Sequence, residues 1–399
     1  MILWQFLPLR TIFIIMCSLL CLTNRKELIT RKIILDKIGL TMRLIPILIL
    51  YSLIKILERE RSALKLCLIL LSCIRGCVCF LRKNFLLFFI SYELRIISLL
   101  FTLFIKSPYS ERSMAGWYFL GYLVLGGVPL LLLFIYFSAE LGKNRCLIKK
   151  EYVSYGLFII FITKVPLFPF HAWLPIVHAE AKRFVSIMLS GYIMKLGLLG
   201  ILRFFKVSCE VLKVYLLVFF TFGCFFFIRC FCELDKKRWL AFLSLGHIRV
   251  GMGGTFRLSQ GRDLVLSSFR LGHGLSVFIM FLYFYVYRKK SGSRNWTIKI
   301  FYNKKIRKTL LIPRILRLIA FPPCILFFNE ILIYIRMGKI NMLIITFGLY
   351  IFLGILGPMC ILRTSLRRFS KRVTYPIRDN YLIIILLIGY VFYIIGLIL

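Results

Sequence analysis

Six residues in otherwise apolar surroundings carry side chains able to take up and release a proton: Glu93, Lys164, Lys195, His247, His273 and Glu330. Glu93 is embedded in Phe88-Phe89-Ile90-Ser91-Tyr92-Glu93-Leu94, and Lys164 precedes Val165-Pro166-Leu167-Phe168-Pro169. Lys195 is central to an apolar run over 184–204, and Glu330 follows Pro322-Pro323. An ionisable group near the centre of a bilayer costs about 2.5–3.5 kcal/mol even on the lenient insertion scale, so each needs a partner or a purpose. Burial disfavours the charged form of such a group, and a nearby opposite charge favours it. A lysine held between those two pulls can load and release a proton as its partner moves. Histidine changes charge near neutral pH and can pass a proton between its ring nitrogens. The set therefore points to a proton relay. Static ion pairs between helices would satisfy the same charges without moving anything. For His247 and His273, beside Gly246, Gly272 and Gly274, a structural core histidine and a relay member are equally good readings. His171 and His178, the other two histidines, are read as fixing backbone at a helix break.

The elements that must position these groups are membrane helices. Of 399 residues 60% are hydrophobic, including 39 Phe, with 55 Lys+Arg against 15 Asp+Glu. So much apolar surface excludes a soluble protein, and the aromatic content excludes a disordered basic tail. A nucleic-acid binder would spread its charge over polar surface that is scarce here. Apolar stretches long enough to span run over about 2–22, 38–56, 63–81, 85–105, 117–137, 152–178, 184–204, 211–232, 239–255, 264–287, 309–335, 341–361 and 381–399. The expectation is an all-α integral membrane protein of about thirteen transmembrane helices, forming a single polytopic membrane domain over 1–399. The first apolar stretch is read as a spanning helix rather than a cleaved leader. Lys+Arg number 22 in one set of alternate loops and 11 in the other. That bias orients the richer set, including the dense loop 288–308, toward the negative side of the membrane. Prolines interrupt two spans, 152–178 and 309–335. A helix broken in lipid survives only where its freed carbonyls are buried or face a wet cavity, as at the ion sites of transporters.

Other chemistry finds no motif. There is no H-E-x-x-H, no Walker loop, no strand-linked G-x-G-x-x-G and no G-x-S-x-G elbow, so neither metal nor nucleotide is expected in this chain. The 13 cysteines are an odd number placed mostly in apolar runs, which does not read as a disulfide framework.

The run from Lys164 to Ala181, with its Val165-Pro166-Leu167-Phe168-Pro169 and His171-Ala172-Trp173-Leu174-Pro175, resembles the signature of the NADH dehydrogenase subunit 4 family. These are antiporter-like subunits in the membrane arm of respiratory complex I. Glu111-Arg112-Ser113-Met114-Ala115-Gly116-Trp117, Met194-Lys195-Leu196-Gly197 and Gly272-His273-Gly274-Leu275-Ser276 also fit, with the best-matched core at about 84–335. The resemblance implies an antiporter-like fold in the mitochondrial inner membrane, with Glu93 paired to Lys164 on a broken helix. It further implies Lys195 as a central lysine, His247 and His273 on a hydrated axis, and Glu330 leading toward a neighbouring subunit. NADH, FMN, iron–sulfur clusters and ubiquinone would act in other subunits, with no cofactor in this chain. Antiporter-like subunits 2 and 5 and the phospholipid membrane would be its partners, and nucleic acid would not. A stand-alone cation/proton antiporter subunit and a non-pumping structural subunit of the membrane arm are the alternatives. One N-terminal helix of the fuller bacterial form has no counterpart in this mapping.

The formal net charge of +40 departs from the family pattern. Arg75, Arg95, Arg249, Arg270, Arg314 and Arg317 fall inside apolar spans, at a joint cost of about 15–20 kcal/mol. Where the family has a small polar residue, Arg95, Arg183 and Arg249 stand here. Many invertebrate mitochondria read the codons AGA and AGG as serine. The expectation is that a good part of the 30 arginines are serines in the protein as made.

Overall fold

The computed structural model describes residues 28–29, 34–35, 37–57, 63–82, 84–106, 111–141, 147–204, 210–257, 262–291, 295, 305–322, 324–337 and 341–367. The spans expected at 2–22 and 381–399, and most of the basic loop 288–308, lie outside them. A two-residue antiparallel pairing, β1 (Leu28–Ile29) with β2 (Ile34–Leu35), precedes the helices. Then follow α1 (Lys37–Leu57), α2 (Ala63–Cys79), α3 (Phe85–Lys106), α4 (Arg112–Leu141), α5 (Leu147–Lys164) and α6 (Trp173–Glu180). After these come α7 (Arg183–Met188), a π-helical turn (Leu189–Ile193), α8 (Met194–Phe204), α9 (Glu210–Cys232) and α10 (Lys236–Arg257). The remainder is α11 (Arg262–Ser291), α12 (Lys305–Leu318), α13 (Ile325–Met337) and α14 (Asn341–Arg367).

The expected spans between 38 and 361 each have a helical counterpart. The helix expected at 117–137 is longer, Arg112–Leu141, and holds Pro129 without a break. Among the described residues five stretches are long and apolar enough to cross a membrane: Phe85–Ile105, Arg112–Leu133, Arg183–Phe204, Val265–Tyr285 and Ile345–Arg363.

Burial sorts these helices by role. The segment Arg183–Phe204 is 94% buried, whereas Arg112–Leu133 and Ile345–Arg363 are each 28% buried. On α4 the exposed side chains include Trp117, Leu125, Val128 and Leu132; on α14 they include Ile345, Leu349 and Phe352. An apolar face turned outward at helical spacing is what lipid requires of a peripheral helix. The Lys195 helix sits instead at the centre of the bundle, within one continuous apolar core.

Both proline-broken spans are realised, and both close in the same way. At the first break Leu167 N–H bonds Ile162 C=O (3.1 Å); at the second, Phe321 N–H bonds Leu316 C=O (3.0 Å). This bond across five residues is the one that ends a helix in a Schellman turn, and it satisfies a carbonyl that lipid could not. Ala320 takes the left-handed conformation (φ 56°) that such a turn needs. Pro175 falls in the first turn of α6, where its missing N–H has no intrahelical acceptor to lose.

Candidate functional site

The first group of charges lies at the first break. Lys164 is the last residue of α5, and its Nζ donates to Glu93 Oε1 on α3 at 2.8 Å and to Leu123 O on α4 at 3.3 Å. The Tyr92 ring lies 5.7 Å from the same ammonium. Helix α4 can come this close because residue 126 is glycine. A Cβ there would sit 2.4 Å from Thr163 Oγ1 and 3.0 Å from Lys164 Cε. The pair is almost wholly enclosed, with side-chain exposure of 4% for Lys164 and 12% for Glu93. Glu93 Oε2 is buried with no hydrogen-bond partner among the described residues, so half of this carboxylate is unused.

Lys195 forms the second group. It is 1% exposed, and its Nζ donates to Ser190 O, inside the π turn. A π turn admits an extra residue and so redirects the carbonyls and side chains around it; here one of those carbonyls takes the buried ammonium. The turn is approached closely by α11, since a Cβ on Gly274 would lie 2.9 Å from Gly191 O. Only glycine allows this approach, which sets His273, one residue earlier, beside the Lys195 turn. On the other side Gly197 of α8 rests against Val165 and the Lys164 backbone, so α8 touches both the first break and the histidine helix.

The third group gathers four helices. His247 on α10 has its Nδ1 3.3 Å from Glu330 Oε1 on α13 and 2.9 Å from the Tyr350 hydroxyl on α14. Its ring centroid is 5.6 Å from that of His273 on α11. All four side chains are buried. Beside Glu330, Asn329 Oδ1 accepts from Ser268 Oγ of α11 at 2.9 Å.

The six residues flagged in the sequence therefore fall into three enclosed clusters: Glu93 and Lys164 on α3 and α5, Lys195 on α8, and His247, His273 and Glu330 on α10, α11 and α13. Sequence reasoning missed Tyr350, Tyr192 and Ser268. A tyrosine or serine in an apolar helix carries no compositional contrast; only the fold shows that Tyr350 meets His247 and that Tyr192 meets Ser72 (2.7 Å). His171 bonds the backbone of Pro169 at the first break, as expected, whereas His178 behaves otherwise. The His178 ring nitrogens make no hydrogen bond among the described residues, and its ring stacks flat on Phe281 at 5.3 Å. His171 is half-buried against Phe226, with centroids 4.5 Å apart. The helix end itself is closed by the Schellman bond between Leu167 N–H and Ile162 C=O. Among the described residues, no group of three or more His, Cys, Asp or Glu is placed to hold a metal ion.

Four of the six questioned arginines are enclosed. Arg95, Arg249, Arg270 and Arg314 are among the most buried large side chains. The Arg95 guanidinium lies between the Tyr92 and Tyr192 rings at 4.9 and 5.2 Å, and none of its three nitrogens has a hydrogen-bond partner among the described residues. Arg75, in contrast, is only partly buried and donates to Leu94 O at 3.1 Å.

Interrupted helices enclosing buried carboxylate, lysine and histidine clusters define an antiporter-like membrane bundle. Known proteins agree. Residues 83–357 match the family model described as NADH:quinone oxidoreductase/Mrp antiporter, TM, and the chain belongs to that family. It is similar to NADH-ubiquinone oxidoreductase chain 4 of Rhipicephalus sanguineus, 31% identical over 207 residues, covering 50% of this chain and 47% of that protein. The corresponding protein of Locusta migratoria is 30% identical over 229 residues, 55% of this chain and 52% of that protein. The chain thus spans about half the length of the curated relatives it matches. In fold it resembles a chain of respiratory complex I from Thermus thermophilus (TM-score 0.79, 18% identity, covering 97% of this chain and 87% of that one). It also resembles a chain of the Mrp complex from Dietzia (TM-score 0.75, 15% identity, covering 94% and 76%).

Proposed function

We propose that this chain is a proton-translocating subunit in the membrane arm of an NADH:ubiquinone oxidoreductase of the mitochondrial inner membrane. The observation that carries the proposal is the Glu93–Lys164 ion pair at a broken helix, 2.8 Å long and shut away from solvent. An ion pair in that setting shifts a large free energy when it opens, because low dielectric strengthens its attraction and exposes its loss. Opening it changes the field at Lys195 on the adjoining α8. That change drives a proton from Lys195 toward His273 and His247, and Glu330 receives it. Electrons do not enter: NADH, FMN, iron–sulfur clusters and ubiquinone act in other subunits, and the chain docks against other membrane-arm subunits, subunits 2 and 5 being its neighbours.

The test is substitution in the assembled, expressed complex. Lys164→Ala, Lys195→Ala and Glu93→Ala should each cut proton pumping about a hundredfold or more, the lower range for losing a positioned proton carrier, while assembly persists. Full pumping by all three leaves only a structural membrane-arm subunit with static ion pairs. The fold shared with the Mrp complex keeps a stand-alone cation/proton antiporter as the second reading. Migration of the chain with a large respiratory assembly, rather than with a small antiporter complex, separates the two.

A further inference from the structure

The contact between His247 and Tyr350 carries an inference that rests on the proton-relay reading and deepens it. One ring nitrogen, His247 Nδ1, faces two groups from different helices: Glu330 Oε1 at 3.3 Å from α13 and the Tyr350 hydroxyl at 2.9 Å from α14. The phenol is buried, and its ring is held by Phe347 (5.4 Å, stacked) and Phe227 (5.1 Å). His247 Nε2 is buried without a hydrogen-bond partner among the described residues, and so is His273 Nε2. A protonated Nδ1 donates, and the carboxylate is its stronger acceptor. A bare Nδ1 can only accept, and a phenol O–H is the nearest donor.

We propose that Tyr350 is a positioning residue that makes the His247-to-Glu330 proton step directional. With His247 as imidazolium and Glu330 as carboxylate, the Nδ1–H bond breaks and an O–H bond forms on Glu330. The electron pair of the broken bond stays on Nδ1, leaving neutral imidazole with its hydrogen on Nε2 and a neutral carboxyl. The Tyr350 hydroxyl then donates to the vacated lone pair without losing its own proton. That bond occupies the atom to which the proton would return, so the proton stays on Glu330 until the phenol turns away.

Tyr350→Phe keeps the ring and removes the hydroxyl. In vesicles carrying the assembled complex, it should lower pumping per assembled complex about tenfold, the rate factor for one buried hydrogen bond. It should also raise the solvent deuterium isotope effect on turnover, because the back-reacting proton step becomes limiting. Phe347→Leu disturbs the same packing but leaves the hydroxyl, and should leave the isotope effect unchanged. Wild-type pumping and isotope effect in Tyr350→Phe overturn the inference, and so does an equal response in Phe347→Leu. Should Tyr350→Phe assemble poorly, the isotope effect on the surviving complexes still decides. If Lys195→Ala also pumps normally, the relay itself has failed. If Lys195→Ala fails to pump while Tyr350→Phe pumps normally, only the role of Tyr350 has.

Discussion

Lys164, Glu93 and the glycine that lets them meet show how a charged group is kept in a membrane at tolerable cost. Removing one partner of a buried pair leaves the other uncompensated, typically at 3–5 kcal/mol, whereas replacing both is far milder. Glu93→Gln should therefore lower the thermal stability of the assembled subunit more than the double change Glu93→Gln/Lys164→Met, as read from its melting temperature. Equal destabilisation would mean that the pair is not coupled. Gly126→Val, which drives side-chain atoms into Thr163 and Lys164, should cost about 1–3 kcal/mol by overpacking and impair pumping as well. A thermal melt and a pumping assay on the same preparation check both. At this scale the sequence was most legible where polarity contrasts with its surroundings. A lysine or glutamate inside a run of Phe, Ile and Leu announces itself, and all six flagged residues make polar or ring contacts to one another or to backbone. Tyr350 does not stand out among 20 tyrosines, because its meaning comes from a partner 103 residues away.

Helices here do more than span. The breaks at Pro166 and Ala320 and the π turn at Leu189–Ile193 are each departures from the regular ladder, and each stands next to a buried ionisable group. The proline breaks were legible, since proline has a fixed local consequence. The π turn was not: Leu-Ser-Gly-Tyr-Ile has no signature distinct from an ordinary helix, and the extra residue is paid back by packing against Gly274. Deleting Leu189 should convert the turn to α-helix and rotate Lys195 by about 100° relative to α7. Pumping should then be lost although the subunit still inserts and assembles. Retained pumping, measured in vesicles, would show that the π turn does not aim Lys195. The left-handed Ala320 gives a second test. Ala320→Gly removes a conformational penalty of about 1–2 kcal/mol and returns part of it as backbone entropy. It should be neutral to slightly stabilising, whereas Ala320→Val should destabilise; the order of the two melting temperatures is the readout.

For the molecule as a whole, hydrophobic content and span spacing made the all-helical membrane fold readable before any coordinates. What the sequence could not supply was the radial order of the helices. Both Phe85–Ile105 and Arg183–Phe204 have a mean hydropathy of 1.8, yet they are 61% and 94% buried. Lipid and protein interiors are equally apolar, so hydropathy cannot tell a central helix from a peripheral one. The net charge of +40 is the other whole-molecule property, and the enclosed Arg95, Arg249, Arg270 and Arg314 sharpen what to expect of it. We predict serine at these positions in the protein isolated from its membrane. Peptide mass spectrometry across α3, α10, α11 and α12 checks this, and arginine found at all four would refute it.

The end of α5 has a mechanical consequence. A helix terminus carries about half a negative charge at its carbonyl end, and the Lys164 ammonium sits at that end while also donating to Leu123 O. The cation therefore has two holds that do not depend on Glu93. Glu93 has a single oxygen engaged and belongs to an unbroken helix. In the proposed opening of the pair, lysine is the anchored side and the carboxylate is the hand that lets go.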